Sequence, residues 1–171
     1  EHLVFKGTAT RSAEAIARAI DSVGGHMDAF TAKEHTCFYV GVLDEHLPLA
    51  VELLSDILMR PLFAAEDIEK EKSVVLQEIK MVEDTPDDLI HDLFAERVWA
   101  GHPLGRPILG IWERVKAFDR GTILRHFEEE YVPGRIHRAD RMEETGLYDD
   151  GKKGIRRPTG PDLRIKDQDR D

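Results

Sequence analysis

HMDAFTAKEHTCFYVGVL, residues 26–43, is the stretch that decides the fold. Two segments rich in aromatic and β-branched residues, HMDAFT (26–31) and HTCFYVGVL (35–43), flank the short polar AKE. That pattern predicts two strands joined by a tight hairpin. A hairpin makes antiparallel neighbours without the helical crossover that a parallel pair needs. On either side the apolar spacing turns helical. Residues 12–23 carry a cap at Ser12, an acid at Glu14 and a stripe of Ile16, Ile20 and Val23, and Gly24-Gly25 stops them. Residues 46–60 place Leu47, Ala50, Val51, Leu54, Ile57 and Leu58 on one side, with Pro61 beyond the end. Further helices are expected over 66–83, over 85–100 and over 112–130. The second of these has Thr85 as cap, Pro86 at N1 and Asp88 at N3. A hairpin among so many helices predicts an α+β fold, an antiparallel sheet packed by helices.

Composition narrows the function. The 171 residues are 41% hydrophobic, enough for a core, and the mean hydropathy of -0.41 is that of a water-exposed protein. No apolar run approaches the length of a membrane span. A formal net charge of -10 argues against a nucleic-acid binder, which would show a basic patch. The single cysteine, Cys37, sits in the apolar run TCFYVGV and reads as a buried thiol. GHPLGRP (101–107) has glycines but lacks the Lys-Ser/Thr of a phosphate loop, so it reads as a turn.

Two places could carry chemistry. In the expected helix AEDIEKEKSVVLQEIKMVED, the apolar face is Ile68, Val75, Ile79 and Val82. Glu71 and Glu78 are seven apart, nearly superposed along the axis, and fall on the flank of that face. A carboxylate at a core boundary needs a cation, a donor or a metal. Alternatively both acids reach outward to lysines such as Lys72. The other place is the start of the chain, EHLVFKGT. If Glu1 and His2 open a helix, the residue three before Glu1 would lie one turn from His2 on the same face. A histidine there would complete His-x-x-Glu-His, the inverted zinc-peptidase motif. That position lies before Glu1, and the chain is expected to be a truncated record.

These segments together resemble the insulinase-like (pitrilysin, M16) metallopeptidases, notably the bacterial relatives of the mitochondrial processing peptidase β subunit. The resemblance runs through EHLVFKGT, GGHMDAFTAKEHTCFYVGVLDEHLPLAVELLSDILMRPLF and EKEKSVVLQEIKMVEDTPDDLIHDLFAERVWAGHPLGRPILG, from residue 1 to about 133. It implies part of the N-terminal domain of the LuxS/processing-peptidase-like metallohydrolase fold over 1–133. It also implies zinc as cofactor, with His2 and Glu78 as ligands, Glu1 as general base and Glu71 as helper acid. The segment GGHMDAFT matches the edge strand that pairs with substrate backbone in this family, which makes Asp28, Ala29 and Phe30 the substrate-binding residues. Two positions depart from the family pattern: Gln77 precedes Glu78 where a glutamate is usual, and Asp28 replaces an asparagine. The remaining histidines, 26, 35, 46, 91, 102, 126 and 137, match no ligand position.

The implied reaction is peptide-bond hydrolysis. Zinc would lower the pKa of its bound water towards about 7. Glu1 would take the water proton and pass it to the leaving amine. The expected partner is a peptide or unfolded protein, and a homo- or hetero-oligomer of the full-length parent fits the family. The alternative is a non-catalytic member that keeps the fold for assembly. Retention of Glu1, His2 and Glu78 together favours the peptidase, although a chain lacking one ligand is expected to be inactive alone. With no signal peptide visible, the cytoplasm is the favoured compartment.

Residues 134–171 read differently. Residues 1–133 carry a net -11, whereas the last 38 residues carry +1, with 19 of the 38 charged. Few large apolar residues and no period are found there, so the segment is expected to be a disordered tail foreign to the family. A shifted reading frame near residue 134 would produce such a change.

Overall fold

In the computed structural model, residues 1–140 and 161–166 are described. The hairpin of residues 26–43 forms as expected. Strand β1, His26–Thr31, pairs antiparallel with β2, His35–Gly41, in the register Asp28 opposite Tyr39 and Thr31 opposite Thr36. Helix α1, Ala13–Asp21, precedes the hairpin and is capped by Ser12, whose Oγ accepts the Ala15 N–H at 3.2 Å. Gly24 closes the turn after it at φ +62°, a conformation that side chains disfavour.

After the hairpin come α2 (Leu47–Met59), α3 (Ala65–Asp84) and α4 (Pro86–Val98). The last expected helix is two. Helix α5, Trp112–Ala117, ends at Phe118, whose backbone turns extended, and α6, Arg120–Glu130, restarts after Asp119. Asp119 takes the Thr122 N–H at 2.7 Å, so a strong N-cap inside the apolar period breaks one helix into two. Thr85 departs from expectation too. It stands at the N-cap position of α4 as read, but its hydroxyl donates back to the Met81 carbonyl of α3 at 2.8 Å and makes no side-chain cap.

Two further strands complete the sheet. β3 is Ile136–Asp140 and β4 is Pro161–Lys166, and the order is β1-β2-β4-β3, antiparallel throughout. The expectation of an unstructured tail therefore does not extend to the backbone of these two segments, where strand pairing supplies the hydrogen bonds. The rest of that tail, 141–160 and 167–171, lies outside the described residues.

One face of the sheet carries the core. Phe38, Val40 and Val42 alternate towards Leu53, Leu54, Ile57 and Leu58 of α2 and Ile16 and Ile20 of α1. On β1 the same period sends Met27 and Ala29 inward and leaves Asp28 and Phe30 exposed. β1 is an edge strand, paired only with β2 among the described residues. No helix among the described residues is long and apolar enough to cross a membrane.

A buried carboxylate ties the N-terminal loop to this core. Asp56 of α2 is fully enclosed. Its Oδ2 accepts from Thr8 at 2.6 Å, Thr10 at 2.7 Å and Arg11 at 3.1 Å, and Oδ1 lies 2.9 Å from Nε of Arg60. Burial pushes this carboxyl up, but the three hydrogen bonds and the Arg60 charge outweigh it and hold it down at about 2.

Candidate active site

Residues 2–6 make a short 3-10 turn rather than an α-helix, and it lies against α3. The turn places His2 and Lys6 over the same carboxylate. Glu71 is buried, with Oε2 3.0 Å from Nδ1 of His2 and Oε1 2.6 Å from Nζ of Lys6. Burial pushes the Glu71 carboxyl up, yet Lys6 and then His2 outweigh it and the net shift is down. Glu71 is therefore an anion at neutral pH, held between two donors. Lys72, the partner considered from sequence, instead pairs with Glu69 at 3.0 Å.

The consequence for His2 is chemical. In the neutral tautomer that donates its Nδ1–H to Glu71, Nε2 carries the lone pair with which an imidazole binds a metal. Glu78 lies two turns further along α3, half-buried, and takes no hydrogen bond or ion pair among the described residues. Its carboxylate is thus available to a cation. Both side chains suit a metal, but they do not complete a site. No three His, Cys, Asp or Glu side chains converge to hold an ion among the described residues.

Glu1, His2, Glu71 and Glu78 line one cleft of about 650 Å³, although 69 residues separate His2 from Glu71. One wall is the end of β1, with Ala29, Phe30 and Thr31. The lining also includes the largely apolar side chains of Ile108, Leu109, Val115, Phe118, Ile123 and Tyr131. Glu1 is exposed, and its Oε2 accepts from the Thr31 hydroxyl at 2.5 Å. His126 also lines the cleft, whereas His26 and His35 pack against Tyr39 and Phe30 on the outer face of the hairpin.

The free edge of β1 has a definite polarity. Ala32 N–H donates to the His35 carbonyl at 2.8 Å, which sets the ladder. The pairs 30/37 and 28/39 then exchange hydrogen bonds, and Ala29 and Thr31 turn their N–H and C=O groups to the open side. The Ala29 N–H is taken at 2.8 Å by the side chain of Asp28, whose other oxygen accepts from Tyr39 at 3.2 Å. Asp28 does not line the cleft. It caps an outward N–H of the edge, as charged residues on exposed edges commonly do.

The sequence did not single out Lys6, Thr31 or Thr36. Lys6 carried a signal, four residues after His2 and so on one face of a helical turn. Thr31 and Thr36 carried none, because their part depends on where Glu1 lies.

The family model of the insulinase peptidases, M16, matches residues 1–111. The chain belongs to that family. YmxG of Bacillus subtilis (strain 168), named an uncharacterized zinc protease, is 44% identical over 136 residues. That match covers 80% of this chain and 33% of the relative, so the chain spans about a third of its length. Among solved structures, a protease from Helicobacter pylori aligns with a TM-score of 0.72 at 20% identity, over 78% of this chain and 32% of that one. A peptidase M16 inactive domain from Pseudomonas fluorescens aligns at 0.66 and 18%, over 74% and 31%. Both likenesses show the fold, α+β with an antiparallel sheet, and neither identity level carries function.

Proposed function

We propose that this chain carries part of the catalytic site of a zinc-dependent metalloendopeptidase. The observation that supports the reading is the meeting of Glu1, His2, Glu71 and Glu78 in one cleft beside a strand edge that is unpaired among the described residues. In this reading His2, through Nε2, and Glu78 hold the metal. Zinc supplies a Lewis acid and an acidified water. Glu71 orients His2 and keeps its tautomer. Glu1 takes a proton from the water and delivers it to the leaving amine. The substrate is an extended peptide, added as a strand to the edge of β1 through the outward groups of Ala29 and Thr31. Its arrival frees the Ala29 N–H from Asp28, whose carboxylate then accepts from the peptide, while Phe30 contacts a peptide side chain.

A catalytic zinc takes three protein donors and one open position. Two are present here, so hydrolysis by these 171 residues alone is not expected. The fold by itself does not separate this reading from a non-catalytic family member, since the Pseudomonas inactive domain shares it. The assembled acids and His2 favour catalysis. In the full-length protein, Glu1→Gln is expected to lower peptide hydrolysis by about 10²–10⁴-fold with zinc content unchanged. Undiminished turnover would remove Glu1 from the reaction.

A further inference from the structure

We propose that Thr31 is the positioning residue for the general base, and that through it the strand that binds the peptide also aims the base. The inference rests on the reading of Glu1 as that base. Thr31 is the last residue of β1, and its main-chain N–H and C=O face the open edge. Its side chain turns into the cleft and its hydroxyl donates to Oε2 of Glu1 at 2.5 Å.

Donor accounting orients the whole group. A hydroxyl has one hydrogen, and a carboxylate only accepts. Once Thr31 gives its hydrogen to Glu1, the 3.3 Å contact between Thr31 and Thr36 is donated by Thr36. Thr36 stands directly across the ladder from Thr31, so strand register brings the two hydroxyls together, and the acceptor-only carboxylate sets the direction of donation. Threonine is also stiff at χ1, which holds the hydroxyl with little loss of freedom.

One residue therefore works on both sides. Its main chain is available to the peptide, and its side chain holds Oε2 of Glu1, whose carboxylate lines the cleft. A peptide laid along β1 would arrive in a set register relative to that carboxylate. Positioning of this kind is where small displacements cost large factors in rate.

The test uses the full-length protein with Thr31→Val, which keeps the branched shape, and Thr31→Ser, which keeps the hydroxyl. The probe is dye-quenched unfolded casein, accompanied by crystal structures of each variant. Thr31→Val is expected to lower kcat by about 10–100-fold with KM unchanged, and Thr31→Ser to restore most of it. In the crystal, the Glu1 carboxylate should leave its place beside residue 31 in the valine variant and return in the serine variant. Unchanged kcat in Thr31→Val, a loss carried by KM, or a Glu1 carboxylate unmoved in that crystal would overturn the proposal. Glu1→Gln in the same assay separates the two ideas. Full activity there overturns the base reading itself, whereas an inactive Glu1→Gln beside a fully active Thr31→Val overturns only the role of Thr31.

Discussion

Nδ1 of His2 lies 3.0 Å from Oε2 of Glu71, a contact made across 69 residues of sequence. It joins the first turn of the chain to the middle of α3 and brings the imidazole to face the cleft. A carboxylate behind a histidine is the arrangement that fixes ring orientation in metal sites. Glu71→Gln should therefore weaken zinc binding by about 10–100-fold in the full-length protein, with the fold retained. Competition with a zinc chelator measures it. Unaltered zinc affinity would leave Glu71 with a purely structural part.

Lys6 holds the other oxygen of Glu71 at 2.6 Å. The Lys6 side chain is 40% exposed, so solvent screens the pair and its contribution is modest. Lys6→Met should cost about 1 kcal/mol in denaturant unfolding, and Lys6→Arg should recover most of that. A larger loss for methionine would mean that Glu71 cannot stay ionised in its buried place without the cation.

Asp56 makes a different prediction, one of acid sensitivity. Its folded pKa, about 2, lies below the ordinary 3.8. A lowered value means that the folded state favours the ionised form. That contribution is complete above the unfolded pKa and is lost as pH falls from about 4 towards 2. Stability measured by denaturant should drop across that window, and Asp56→Asn should flatten the drop. Asp56→Ala, which leaves the enclosed Thr8 hydroxyl without its acceptor, should cost about 3 kcal/mol at neutral pH.

The open edge of β1 can be tested without breaking the sheet. Ala29 N–H points away from β2, so Ala29→Pro removes a donor that the ladder does not use. Phe30→Pro would remove one that it does. Ala29→Pro should raise KM for peptides by about tenfold, one hydrogen bond's worth, with the protein still folded by circular dichroism. An unchanged KM would place the peptide elsewhere.

Much of this protein was legible in its sequence because the signals are local. Residues 26–43 carry the period and composition of a hairpin, and the chain can only satisfy AKE with a tight turn. Ser12 capped α1 as read, since a cap bonds a backbone group three residues away. Where two local signals competed, the reading failed. The apolar period over 112–130 outran the cap at Asp119, and the hydroxyl of Thr85, which stands between two helices, bonds back to α3 rather than forward to α4. The strands β3 and β4 were missed because they are short and rich in charge; Leu163 and Ile165 do alternate with charged residues, but two apolar positions are too few to mark a strand. The ladder bonds their main chain whatever their side chains are.

The site divides along the same line. Residue types and helical spacing placed Glu71 and Glu78 on one flank of α3, and the N-terminal motif pointed to Glu1 and His2. Sequence could not say that Glu71 turns to His2 and Lys6 rather than to Lys72, or that Thr31 reaches Glu1. Those choices depend on distances between segments far apart in the chain. Only the packing of the first turn and the hairpin against α3 decides them, because a hydrogen bond is formed by position in space, and local sequence fixes position only within its own element.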